Sequence, residues 1–243
     1  MSVEYDGLRL GLYTENGNHR WFRHYEPSTG EVRRYSARVY GGAGASLGYF
    51  GWLAQDRWSW WIGADYFRSL LFSSSARRIE QVVDTTAERI DVSTTLLWHP
   101  YGTALALGPI SGVGALGFDF AMPEVEGIES QELELATGNY DYVRVGLSTH
   151  YRAAPFTLTV GGSHLRVVET GRFGNRQVDA QPLGGELNCL LGVDLASWLG
   201  LSLRSTGRLL LFELAPHPAR PGEQPAAVRD AYLSFALGVE GRL

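Results

Sequence analysis

The sequence predicts an all-β fold: an antiparallel up-and-down transmembrane β-barrel of about ten strands. Three observations carry that prediction. Apolar residues recur with period two along most of the chain, as they do on strands with unlike faces. Short and long connections between these stretches alternate strictly. Aromatic residues collect beside the short connections.

The alternation reads off segment by segment. Leu8, Leu10 and Leu12 alternate with Arg9, Gly11 and Tyr13. Trp58, Trp60, Ile62, Ala64 and Tyr66 alternate with Ser59, Trp61, Gly63, Asp65 and Phe67. Ile90, Val92, Leu96 and Trp98 face away from Arg89, Asp91, Ser93 and Thr95. Later come Val143, Val145 and Leu147 against Arg144, Gly146 and Ser148, then Leu187 and Leu191 against Glu186 and Asn188. Leu201 and Leu203 oppose Ser202 and Arg204, and Phe235, Leu237 and Val239 oppose Ser234, Ala236 and Glu240. Strands are expected at roughly 6–15, 36–54, 58–72, 88–98, 103–120, 133–151, 156–169, 183–195, 199–213 and 231–242. Tight turns fall at 54–57, 99–102, 152–155 and 196–200. Polar segments at 16–35, 73–88, 121–132, 170–183 and 214–230 read as long loops. The last is proline-rich and unsuited to a central strand. A change of phase near Gly108-Pro109 predicts a bulge or kink. In the glycine-rich stretch 36–54 either face could be the outer one, and small inward residues there would leave room for bulky neighbours. The whole chain, 1–243, reads as one barrel domain.

Composition sets limits. Charged residues make up 19% of the 243 residues, aromatics 12%, and there are 30 glycines. The net charge of −5 gives no nucleic-acid footprint. All 21 basic residues are arginine, which reads as coding bias. The lone Cys189 excludes an internal disulfide and a cysteine-built metal site. The N-terminal "MSVEYDGLRL" lacks a basic and an apolar region, so it is not a signal peptide. The expectation is a mature form with an added Met, or a domain cut from a longer precursor, with a missing N-terminal domain or partner left open.

An even number of strands puts both termini at the end with the short turns. Near those turns stand Trp52, Trp58, Trp60, Trp98, Tyr101, Tyr151, Phe156 and Trp198, and such rings suit a membrane interface. Short turns at one end, long loops at the other, an oily outer band and an aromatic girdle resemble a bacterial outer-membrane β-barrel protein over nearly the whole chain. The resemblance implies short periplasmic turns, long extracellular loops and residence in the bacterial outer membrane. It also implies contact with outer-membrane lipid or lipopolysaccharide and with the barrel-insertion machinery. Such barrels often end on an aromatic residue, whereas this one ends on Leu243 with Gly241 at a usually apolar position. The other reading of the alternation is a soluble β-barrel or sandwich with its oily face inward. The scarcity of charge on the less oily face, without a single lysine, favours the membrane barrel.

With the oily face outward, Trp58, Trp60, Trp98, Tyr151 and Trp198 meet the lipid interface. Asp65, Arg89, Asp91, Arg144, Glu186, Asp194, Arg204 and Arg208 then line the lumen, with Arg9, His150, Glu240 and Asp119. Mixed charges in a narrow barrel are expected to satisfy one another, giving a plugged or narrow lumen. The alternative is that Arg144, Arg204 and Arg208 form an anion site or pore lining.

No catalytic site, metal site or cofactor is expected, and the chain reads as not an enzyme. Its size is similar to that of omptin-type outer-membrane proteases, but no Asp-x-Asp or Asp-x-His stands in an upper-strand position. Ser163 and His164 are adjacent, so on a strand they point to opposite faces. The glycine-rich 41–48 lacks the ending of a phosphate loop. The acidic "MPEVEGIESQELELA" reads as a solvated rim, or as a site bridging divalent cations to lipopolysaccharide or a partner. The function expected is a structural or binding element or a narrow pore. The alternatives are a hydrolase with its site at the extracellular rim, or a soluble barrel binding an apolar ligand.

Overall fold

The computed structural model describes residues 6–27, 30–53, 57–70, 72–76, 81–100, 104–121, 139–170, 183–216 and 224–243. Eleven strands account for most of them: β1 (Gly7–Glu26), β2 (Glu31–Leu53), β3 (Trp58–Ser69), β4 (Phe72–Ala76), β5 (Gln81–Trp98), β6 (Leu105–Ala121), β7 (Tyr140–Ala153), β8 (Phe156–Thr170), β9 (Leu183–Ala196), β10 (Leu199–Leu214) and β11 (Ala226–Arg242). All pairings are antiparallel, and β1 pairs with both β2 and β11, so the sheet closes on itself. Short β4 pairs with β2 and β5 above the end of β3. The two share one stave, and the barrel has ten. At the closure, beside the short turns, Leu8 and Leu243 exchange backbone hydrogen bonds of 3.1 and 2.9 Å.

The strands are longer than the hydrophobic alternation predicts. Segment 16–26 continues β1, 81–87 opens β5 and 226–230 opens β11, although all three fall in segments predicted as loops. Alternation of oily residues marks only the part of a strand that meets lipid. Above that level the backbone ladder continues while charged side chains enter the outward face and break the alternation.

The polarity of the wall inverts along its height. In the lower half, toward the short turns, the outer face carries exposed apolar residues such as Leu12 (72%), Leu147 (67%) and Leu237 (60%). The inner face there is polar. In the upper half the outer face carries exposed Arg68, Glu88, Asp141, Arg166 and Glu213. The inner face there buries Phe22, Phe67, Phe118, Leu165, Leu210 and Phe212 in one cluster. A single strand shows the switch. Inward positions of β10 read Ser202, Arg204, Thr206, Arg208, then Leu210, Phe212 and Leu214, while outward positions run from Leu199 to Glu213.

Three local features depart from the expectations or settle them. At Gly108-Pro109 strand β6 keeps its register with both neighbours, so the predicted bulge is not there. The apparent change of phase arises because inward Ile110, Leu116 and Phe118 are apolar while outward Pro109 and Ser111 are not. The irregularity lies in β1 instead, between Glu15 and Asn18. It shifts the inward set from Tyr13 and Glu15 to Asn18, Arg20 and Phe22. Asn18 bridges the bulge: its amide donates to Glu15 Oε2 at 3.0 Å, and its Oδ1 accepts from the Phe235 backbone N–H at 3.3 Å. In β2 from Tyr40 to Trp52 the even positions face inward. A Cβ at Gly44 would fall inside the Tyr13 ring, and one at Gly48 inside the Trp61 ring. These glycines are where the lumen makes room for bulky neighbours.

Candidate functional site

Four tiers fill the lumen. At the short-turn end, Asp194 accepts from Arg152 at 3.1 Å and from Arg242 at 2.6 Å. Glu240 accepts from Arg242 at 3.2 Å and from Arg9 at 3.4 Å. A cavity of about 570 Å³ opens beside this ring, bounded also by Trp198 and Leu243. Arg9 separates it from a second cavity of about 250 Å³, lined among others by Trp61, Asn188, Thr206 and Arg204.

The third tier is a belt of ion pairs spanning the barrel. Asp65 on β3 accepts from Arg204 on β10 at 2.8 Å, from Arg89 at 3.2 Å and from the Tyr13 hydroxyl at 2.6 Å. Arg89 also donates to Glu15 at 2.6 Å and lies 3.3 Å from Asp91. Asp91 accepts from Arg208 at 2.9 Å and from the Tyr142 hydroxyl at 2.5 Å. Glu186 accepts from Arg208 and, at 3.1 Å, from Arg144. Six strands contribute, so the belt joins opposite walls. Every arginine in it has a carboxylate, and the tyrosines use remaining lone pairs, which is the condition for burying charge without a large desolvation cost.

The fourth tier is the upper apolar core, with the Arg20–Asp230 ion pair inside it. Arg20 donates to both oxygens of Asp230, at 3.1 and 2.7 Å, and both side chains are fully buried. The hydroxyls of Tyr140 and Tyr232 each reach Asp230 at 2.7 Å. The Arg20 guanidinium lies 3.8 Å from the centre of the Phe118 ring. Between belt and core the space shrinks to a pocket of about 30 Å³, about one water molecule.

Asp65, Arg89, Asp91, Arg144, Glu186, Arg204 and Arg208 thus meet in one belt, and Asp194 sits apart in the end ring. His150 faces inward, its Nδ1 2.8 Å from Thr159 Oγ1. The side chain of Asp119, the acidic segment 122–136, Tyr101 and His217 lie outside the described residues. Trp58, Trp98, Tyr151 and Trp198 are exposed on the outer face at the short-turn end. Trp60 lies beside them, stacked on Tyr49 with ring centres 5.4 Å apart. Trp52 instead faces inward, 4.6 Å from the His99 ring. His99 Nε2 meets Ser59 Oγ at 2.8 Å, and both are buried. Ser163 and His164 are split as strand geometry requires, one buried inside and one exposed outside.

Sequence reasoning missed Glu15, Asn18, Arg20 and Asp230. Arg20 and Asp230 lie in stretches predicted as loops, and Asn18 sits in the bulge of β1. An arginine and an aspartate each spaced by two from an aromatic (Arg20 with Phe22, Asp230 with Tyr232) were the available signal.

No family model matches the chain, and no curated protein matches it. Solved structures do. The outer membrane protease OmpT from Escherichia coli superposes over 100% of this chain and 99% of its own, at 10% identity and a TM-score of 0.60. The transport unit of the autotransporter AIDA-I from Escherichia coli matches 100% of this chain and 93% of its own, at 10% identity and a TM-score of 0.48. The translocator domain of the autotransporter NalP from Neisseria meningitidis matches 98% and 89%, at 13% identity and a TM-score of 0.43. The first of these corrects one expectation. The chain was expected not to be an enzyme, yet its fold is shared end to end with a protease, so the fold gives no ground for excluding enzymatic activity. The lipid-facing band and the shared fold together support a place in the bacterial outer membrane. The chain is a closed ten-stave β-barrel with the fold of bacterial outer-membrane proteins.

Proposed function

We propose that this chain is a sealed outer-membrane barrel, a structural and binding element whose lumen carries no continuous water path. The observation behind this reading is the stacking of the ion-pair belt beneath the upper apolar core, with a pocket of about 30 Å³ between them. An ion moving along the axis would have to break cross-barrel pairs such as Asp65–Arg204 and Asp91–Arg208. It would then have to enter the buried cluster of Phe and Leu side chains. Wide pores of this class keep a polar, water-filled interior from end to end. Here the polar interior stops halfway.

The two cavities on the short-turn side form a blind vestibule, open toward the periplasm in the orientation these barrels adopt. The upper half then serves as a rigid platform for the connections at its rim. Single-channel recording in planar bilayers tests this. The wild-type protein is expected to give no sustained conductance steps. A variant that removes the seal, Phe118→Ala with Phe212→Ala, is expected to give steps if it inserts. Sustained steps from the wild type, reduced by Arg204→Gln, would replace the sealed reading with a narrow pore.

A further inference from the structure

The inward arginines with described partners all face a carboxylate. Two outward ones contrast with them. Arg23 on β1 and Arg229 on β11 are direct register partners on the outer face, both exposed. On the other side of Arg23, the register position on β2 is Arg34. Like charges directly opposite on a sheet repel, and among the described residues neither Arg23 nor Arg229 has an ion pair. The next residue of β10 across from Arg229 is Leu211, also exposed and apolar. Glu213 is the nearest outward carboxylate along that strand, and it makes no ion pair with Arg229.

Their height is informative. On β11 the outward face is apolar at Val239, Leu237 and Phe235, and Arg229 is the first charge above. From Gly241 to Arg229 the strand rises roughly 30 Å, taking ~3.3 Å per residue and a tilt near 40°. An outer-membrane apolar band is about 25 Å tall. The pair therefore stands just beyond the oily band, in the zone of lipid headgroups. Trp21, 48% exposed and paired in register with Ala231, sits one step below as an interfacial aromatic.

We propose that Arg23 and Arg229 form a binding site for the phosphate of a phosphorylated lipid of the outer leaflet. The two guanidiniums supply the charge, while Trp21 and Leu211 flank the lipid's apolar part. Guanidinium forks suit phosphate oxygens, and binding would relieve the repulsion between the two side chains. Exposure alone would not distinguish these arginines from others. The distinguishing features are direct opposition, the lack of a described counter-ion and the position above the band.

The test is native mass spectrometry of the detergent-purified protein, titrated with bisphosphorylated lipid A and with the same lipid dephosphorylated. The wild type is expected to retain the phosphorylated lipid at least tenfold better. Arg23→Gln with Arg229→Gln is expected to remove that preference, and Arg23→Lys with Arg229→Lys to keep most of it. Arg68→Gln, elsewhere on the outer face, is expected to change nothing. Equal retention of both lipids by the wild type overturns the proposal, and that arm needs no variant to fold. Unchanged preference in the double Gln variant also overturns it. Displacement of the lipid by millimolar inorganic phosphate would make this a free-phosphate site and overturn the lipid assignment.

Discussion

The two halves of this barrel solve opposite solvent problems with one set of strands. Below, the solvent outside is hydrocarbon, so Leu8, Leu147 and Leu237 face out and charges pair within. Above, the solvent outside is water, so Arg68, Glu88 and Arg166 face out and Phe118, Leu165 and Phe212 pack within. The hydrophobic effect drives packing only in the upper half, where burial removes apolar surface from water. In the lower half, lipid is as apolar as leucine, so the inward ion pairs and hydrogen bonds must hold the wall together. The same side chain therefore has a different value at different heights.

The largest expected effect comes from a place where the two chemistries meet, the Arg20–Asp230 pair within the apolar core. Asp230→Leu removes the carboxylate that faces the buried Arg20 guanidinium in the apolar core, and such losses cost about 3–5 kcal/mol. The urea midpoint of the folded barrel in detergent should fall accordingly, while Arg20→Met combined with Asp230→Leu should recover most of the loss. If the double change is no better than the single one, the pair is doing more than neutralising itself. Next comes Glu186→Gln in the lower belt. Arg208 keeps Asp91 at 2.9 Å, so the expected loss is smaller, ~2 kcal/mol. Were it to match Asp230→Leu, the distinction between the shared belt and the Arg20–Asp230 pair would fail.

Gly44→Val drives a side chain into the Tyr13 ring and should displace the Tyr13 hydroxyl from Asp65. Overpacking of this kind costs about 1–3 kcal/mol, and the tyrosine's near-ultraviolet circular dichroism should change with it. The smallest effect is expected from Arg204→Gln. A third of that side chain is open to the inner cavity, so water screens it and the loss should stay below ~1 kcal/mol. The same urea titration ranks all four.

How much of this was legible in the sequence follows the same division. The lower half was, because period-two alternation of Leu and Val against Gly, Ser and Arg reports a lipid-facing wall. The tight turns and the inward set from Asp65 to Arg208 follow from that phase. The upper half was not, for three physical reasons. Its outward face mixes charged and polar residues with apolar ones, so segments such as 16–26 looked like loops. The bulge at Glu15–Asn18 moves the inward set by one residue, hiding Arg20 and Phe22. And on β6 the inward face turns apolar at Ile110 and Leu116, which imitates a shift of phase. The soluble-barrel pattern weighed as an alternative describes this upper half, with its oily face inward, on the same strands that cross the lipid. The pairing of Arg20 with Asp230, 210 positions apart, has no local signature at all.

Inversion of the wall's polarity is the central claim, and cysteine accessibility reads it directly. In a Cys189→Ser background, single cysteines would replace Leu201, Phe212 and Glu213, and a membrane-impermeant charged maleimide would be applied to the folded protein in liposomes. Labelling is expected to be fast at 213, with protection at 201 by lipid and at 212 by the inner core. Fast labelling at 212 would mean that water fills the upper lumen, and would contradict both the inversion and the seal.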